Sequence, residues 1–262
     1  MRQHMEEHGF FDLDARLSSL SQRCLLEDPR ASLALRETLL LGWIHHDNAL
    51  EGIVVSHQDI LSALRETAQA DSAQEALYRS IRDYKSAIDF VEQQVQARKP
   101  HQRGLVSVSL LHQLHDLLTP LQKSKGSPFR TGIPTHRAYH HRIAAAGEIP
   151  HRLRKLCESI DAESEHSHPL SRAAAAHFEL LAIYPWSEHS GRVARLLMNL
   201  LLRCDGYPPA LIVGSDRQRY YQCLCLGSGS LAELIADSLD SYCVSANQFF
   251  ESFASLRSPR IK

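Results

Sequence analysis

Residues 184–195 read Tyr184-Pro185-Trp186-Ser187-Glu188-His189-Ser190-Gly191-Arg192-Val193-Ala194-Arg195, between two stretches that both have helical character. Upstream, residues 170–183 are rich in alanine and leucine. Downstream, Val193, Leu196, Leu197, Leu200 and Leu201 recur at three- and four-residue steps, the spacing of one helix face. A linker this short forces a helix–turn–helix hairpin with Glu188, His189 and Ser190 at its tip. The first N–H groups of the second helix have no intrahelical acceptor, and the helix dipole adds partial positive charge there. Gly191 lets a ligand approach the backbone closely. Arg192 and Arg195 oppose that dipole and need a counter-anion, so the turn reads as an anion site suited to phosphates.

Outward from this hairpin, helical periodicity continues. Helices are expected over residues 28–48, from near Ser56, over 72–98, 107–118, 150–160, 216–226 and 230–253. Asp47 and Asn48 suit a helix end or turn. Ser56-His57-Gln58-Asp59 carries the side-chain oxygens of an N-terminal cap. Residues 123–150 hold Gly126, Pro128, Gly132, Pro134, Gly147 and Pro150 and read as an extended functional loop with one hairpin. The expected fold is all-α, with residues 1–104 as an N-terminal helical region and 105–262 as a core.

Composition narrows the function. Of 262 residues, 44% are hydrophobic and 23% charged, which supports a buried core rather than a disordered chain. A formal net charge of -1 supplies no global field toward nucleic acid or anionic membrane, so neither is expected as a partner. The six cysteines form no C-x-x-C pair, which argues for reduced thiols and a cytoplasmic setting. No apolar run has the length of a membrane span. The sixteen histidines are scattered singly or in adjacent pairs, which do not share a helix face, so a zinc site is not expected.

The motif YPWSEHSGRVAR resembles the signature of Fic-domain proteins, HPFxxGNGRxxR with an acidic residue at its fifth position. Pro185, Glu188, Gly191, Arg192 and Arg195 match, and Trp186 replaces one aromatic residue by another. Tyr184, His189 and Ser190 fall on the histidine, the first glycine and the asparagine. Residues around the motif, about 105–250, resemble the Fic core, with 129–150 in place of the family's target-clamping flap. Upstream, Asp47-Asn48-Ala49-Leu50-Glu51-Gly52 resembles the inhibitory motif [S/T]xxxE[G/N], with Asp47 in place of the serine or threonine. The resemblance implies a Fic-fold helical bundle with a short β-hairpin-like flap.

It also implies ATP or another nucleotide as ligand and transfer of AMP to a Ser, Thr or Tyr hydroxyl of a protein target, and it leaves a homodimer open. Glu188 would hold magnesium (Mg2+), while Ser190, Gly191, Arg192 and Arg195 would bind phosphates. Glu51 would pair with Arg195 and block the γ-phosphate. Tyr184 stands where the catalytic base belongs, and a phenol titrating near pH 10 is a poor proton acceptor at neutral pH. His189 is the first replacement base; His136, His140 and His141 of the flap are others. A non-catalytic nucleotide-binding regulator and an altered chemistry such as AMP removal are the alternatives. Residue by residue, plainer roles compete. Trp186 is better read as a core aromatic, Glu188 equally as a solvated turn acid, and Glu51 equally as an exposed acid.

Overall fold

The computed structural model describes residues 2–65, 72–98, 104–120, 129–134, 142–162 and 167–257. Among them are ten α-helices: α1 (Arg2–Leu26), α2 (Pro29–Leu50), α3 (His57–Leu64), α4 (Ser72–Ala97), α5 (Val108–Leu118), α6 (Ile149–Ala162), α7 (Pro169–Ile183), α8 (Ser190–Cys204), α9 (Arg217–Leu226) and α10 (Ser228–Arg257). The helix α1 was not anticipated, although Phe10, Leu13, Leu17 and Leu20 are buried at helical spacing. Its apolar face is narrow and lies between charged residues.

The hairpin of α7 and α8 forms the centre. In α8 every residue from Ser190 to Leu202 is buried, because α7, α4 and α5 all pack against it. The helix is therefore enclosed on all sides rather than amphipathic. On the other side of α7 lie α10 and α6, and α1 rests on α10. Asn199 ties the following chain back to α8: its side chain donates to the Ala210 carbonyl at 3.3 Å and accepts from the Ala210 N–H at 2.8 Å. Arg203 makes a two-pronged pair with Glu92 of α4 at 2.9 and 3.0 Å, a geometry that fixes orientation as well as charge.

Local caps explain the boundaries. Ser56 and Asp59 form a reciprocal capping box at α3, as the sequence predicts. The helix α2 runs past Asp47 and Asn48, which lie in its body rather than at its end. It stops where Gly52 adopts φ +81°. There the Ile53 N–H reaches the Asn48 carbonyl at 2.9 Å and the Gly52 N–H the Ala49 carbonyl at 3.0 Å; this is a Schellman ending, which needs a left-handed residue.

The expected β-hairpin is not found: no strand forms among the described residues. Residues 129–134 and 142–145 are neither helix nor strand, and two of their amides bond to α7 and the turn after it. The Arg130 N–H donates to the Pro185 carbonyl at 2.9 Å, and the Ala144 N–H to the Ala182 carbonyl at 2.9 Å. His136, His140 and His141 lie outside the described residues. No helix among those described is long and apolar enough to cross a membrane.

Candidate nucleotide-phosphate site

Tyr184 ends α7 in the left-handed region, φ 50° and ψ 66°. His189 precedes α8 in the same region, φ 61° and ψ 6°. Side chains rarely adopt this conformation, and two such residues five apart turn the chain sharply enough to bring the helices together. Ser190 closes the turn: its hydroxyl donates to the Trp186 carbonyl at 2.8 Å and accepts from the Trp186 N–H at 3.0 Å. That hydroxyl is thereby committed to the backbone, a role its place in the motif did not indicate. Trp186 is 2% exposed and stacks on His115 of α5 at 4.6 Å, so its reading as a core aromatic fits.

Arg130 holds the other side of the turn. Its guanidinium donates to the carbonyls of Tyr184 at 2.6 Å, Ala144 at 2.5 Å, Gly132 at 3.0 Å and Ile183 at 3.2 Å. Positive charge at the C-terminal end of α7 also complements its dipole. Sequence reasoning missed this residue, since a lone arginine in a Gly/Pro-rich stretch carries no spacing signal.

At the start of α8 no side chain caps the helix, which leaves the first-turn amides free of a side-chain acceptor. Arg192 and Arg195 lie just behind, 2% and 4% exposed, and both are answered from α2. Arg195 meets Asp47 at 2.6 Å and Glu51 at 2.5 Å. Arg192 meets Asp47 at 3.2 Å and donates to Asn48 at 2.8 Å. Arginines at a helix start and carboxylates near a helix end each oppose their own dipole; paired across the two helices, their charges offset one another. The Arg192 guanidinium also lies 5.1 Å over the Tyr84 ring, a cation–π contact.

The end of α2 is held from α9. The Leu50 carbonyl accepts from Arg217 and from the Tyr221 hydroxyl, both at 2.9 Å. Tyr220, fully buried beside Arg195, has its phenol raised by burial and contacts His177 at 3.0 Å.

The structure thus brings Glu51, Arg192, Arg195, Ser190, Gly191 and His189 together. Glu188 is exposed in the turn. Burial pushes His189 below its ordinary value, and the neighbouring Arg192 charge pushes it further the same way. Its ring is therefore neutral at pH 7. His115 is lowered to about 4, chiefly by burial and then by His189. Tyr184 is 6% exposed.

Residues 105–202 match the family model described as the Fic/DOC family. The chain is 26% identical over 236 residues to protein adenylyltransferase Fic of Drosophila ananassae, covering 86% of this chain and 44% of that protein. It is 27% identical over 226 residues to the protein of that name from Culex quinquefasciatus, covering 85% and 43%. It thus spans under half the length of these curated relatives. Among solved structures, a Fic domain containing signaling protein from Bacteroides thetaiotaomicron superimposes with a TM-score of 0.74 at 18% identity, covering 90% of this chain and 96% of that one. Fic-1 from C. elegans (residues 134–508) also gives 0.74 at 18% identity, covering 95% and 72%. The hairpin, the arginine pair and these likenesses together give the chain the Fic fold, with residues 105–202 matching the Fic/DOC family model.

Proposed function

We propose that this chain binds the phosphates of ATP at the start of α8 and acts as an adenylyltransferase-like enzyme toward a protein hydroxyl, held closed by α2. The observation that carries this reading is the pairing of both motif arginines with α2 side chains. An uncapped helix start with two buried arginines is built for an anion, and here the chain's own carboxylates take that place.

Arg192, Arg195 and the amides of Ser190 and Gly191 would hold phosphate oxygens, and Glu188 would hold magnesium. Both fits rest on features of the turn: the amides lack a side-chain cap, and Glu188 is exposed in the turn, two residues before α8. Magnesium, when bound, neutralises phosphate charge. In the transfer, the target oxygen bonds to the α-phosphorus and the bond to pyrophosphate breaks. The hydroxyl proton passes to His189, whose neutral ring is the proton acceptor that Tyr184 is not.

The test uses ATP labelled at the α- or γ-phosphate, candidate protein targets, and both the wild type and an Asp47→Ser/Glu51→Gly variant. Label transferred from the α position alone supports the reading. No transfer by either protein would exclude it. A second reading, a nucleotide-binding regulator without catalysis, is favoured by the burial of Tyr184 at the position of the missing base. It predicts an ATP-dependent rise in Tm, abolished by Arg192→Ala, with no product.

A further inference from the structure

We infer that Asp47, rather than Glu51, is the residue that keeps the start of α8 closed, so that loss of Glu51 alone leaves both arginines covered. This deepens, and rests on, the nucleotide-site reading above.

The two carboxylates are not equivalent. Asp47 is 3% exposed and reaches both arginines, at 2.6 Å to Arg195 Nε and 3.2 Å to Arg192 Nε. The Glu51 side chain is 28% exposed and touches only Arg195, at 2.5 Å to Nη2. Water around Glu51 screens its single pairing, whereas Asp47 acts in the interior, where charges interact strongly. A serine or threonine at this place, as in the motif that the stretch resembles, would offer a hydrogen bond without neutralising an arginine. The aspartate adds a charge, and that charge is shared between the two.

The surroundings hold Asp47 in position. Tyr84 of α4 is fully buried, and burial together with the Asp47 charge raises its phenol, which stays neutral. Arg192 stacks over that same ring, and the neighbouring Asn48 accepts from Arg192 at 2.8 Å. Three helices, α2, α4 and α8, therefore close around one carboxylate. The space beside Asp47 and Arg195, walled by Trp43, Leu50 and Ala210, is about 10 Å³, room for one water at most. Removing Glu51 leaves Arg192 with Asp47, Asn48 and Tyr84, and leaves Arg195 with Asp47 and the buried Tyr220. A phosphate gains Arg192 only when the last turns of α2 move away together.

The experiment measures phenylglyoxal modification of Arg192 and Arg195 by peptide mass spectrometry in the wild type, Glu51→Ala, Asp47→Ser and Asp47→Asn. The asparagine keeps the shape and a hydrogen bond without the charge, and it carries the test should the serine variant not fold. Arg192 should react at the wild-type rate in Glu51→Ala, and about tenfold faster once Asp47 is replaced, as expected for a shifted open population. Pyrophosphate and ATP, added separately, should raise the Tm of the Asp47 variants and not that of Glu51→Ala. Equal exposure of Arg192 in Glu51→Ala and the Asp47 variants would overturn the inference, as would continued protection in both Asp47 variants. If Arg192 becomes reactive but neither anion shifts Tm, closure by Asp47 stands and the nucleotide reading falls. If Glu51→Ala alone gains ATP binding, the nucleotide reading stands and closure by Asp47 falls.

Discussion

The guanidinium of Arg130 donates to the carbonyl of Tyr184 at 2.6 Å, joining the first residues of the flap to the end of α7. Because Tyr184 is left-handed, its carbonyl is directed away from the regular α7 ladder and needs an outside donor. Arg130→Ala should lower stability by roughly 2–4 kcal/mol, since several buried carbonyls lose their partner at once. Arg130→Lys should recover only part of this, because one ammonium cannot reproduce a planar fork. Urea unfolding of the three proteins checks both statements.

His189 carries a side chain at φ 61°, in the place where the resembling motif has glycine. His189→Gly should raise stability by about 1 kcal/mol by relieving a conformation costly for side chains. It should also remove the proposed base. The paired outcome to look for is a higher Tm together with slower label transfer.

The pH dependence follows from His115, whose folded value of about 4 lies below the ordinary 6.5. A histidine kept neutral by folding contributes stability at pH above 6.5. That contribution is lost as pH falls from 6.5 toward 4, while the unfolded chain takes up the proton first. The loss is on the order of 3 kcal/mol across that window. The unfolding free energy from urea titrations at pH 7 and pH 4 should differ less in His115→Gln than in the wild type by that amount.

The sequence made the central hairpin legible, because apolar spacing in α7 and α8 is dense and Gly191 with two arginines marks the turn. Ser56 and Asp59 likewise announced their cap. Asp47 and Asn48 were read as helix-ending types, yet tertiary partners on α8 hold them inside α2. The ending itself falls at Gly52, which supplies the positive φ. The bonds of Ser190 and Arg130 to backbone carbonyls were invisible, since each depends on where distant chain segments meet. The flap was expected to pair with itself; its described parts pair instead with the end of α7 and the turn beyond it.

Gly214 offers a way to disturb α2 without touching its acids. A Cβ there would lie 2.8 Å from the Ala49 Cβ, closer than two carbons can sit. Gly214→Ala should push away the last turn of α2 and cost roughly 1–3 kcal/mol. Faster hydrogen exchange at the amides of Glu51, Gly52 and Ile53 would record the displacement.

The claim that the start of α8 is a nucleotide-phosphate site covered by α2 is tested most directly by calorimetric titration of magnesium-ATP into Asp47→Ser/Glu51→Gly, with and without Arg192→Ala. The account predicts binding by the double variant at least about tenfold tighter than the wild type, as expected once the open state dominates, and loss of that binding when Arg192 is removed. No binding by a folded double variant, or binding indifferent to Arg192→Ala, would contradict it.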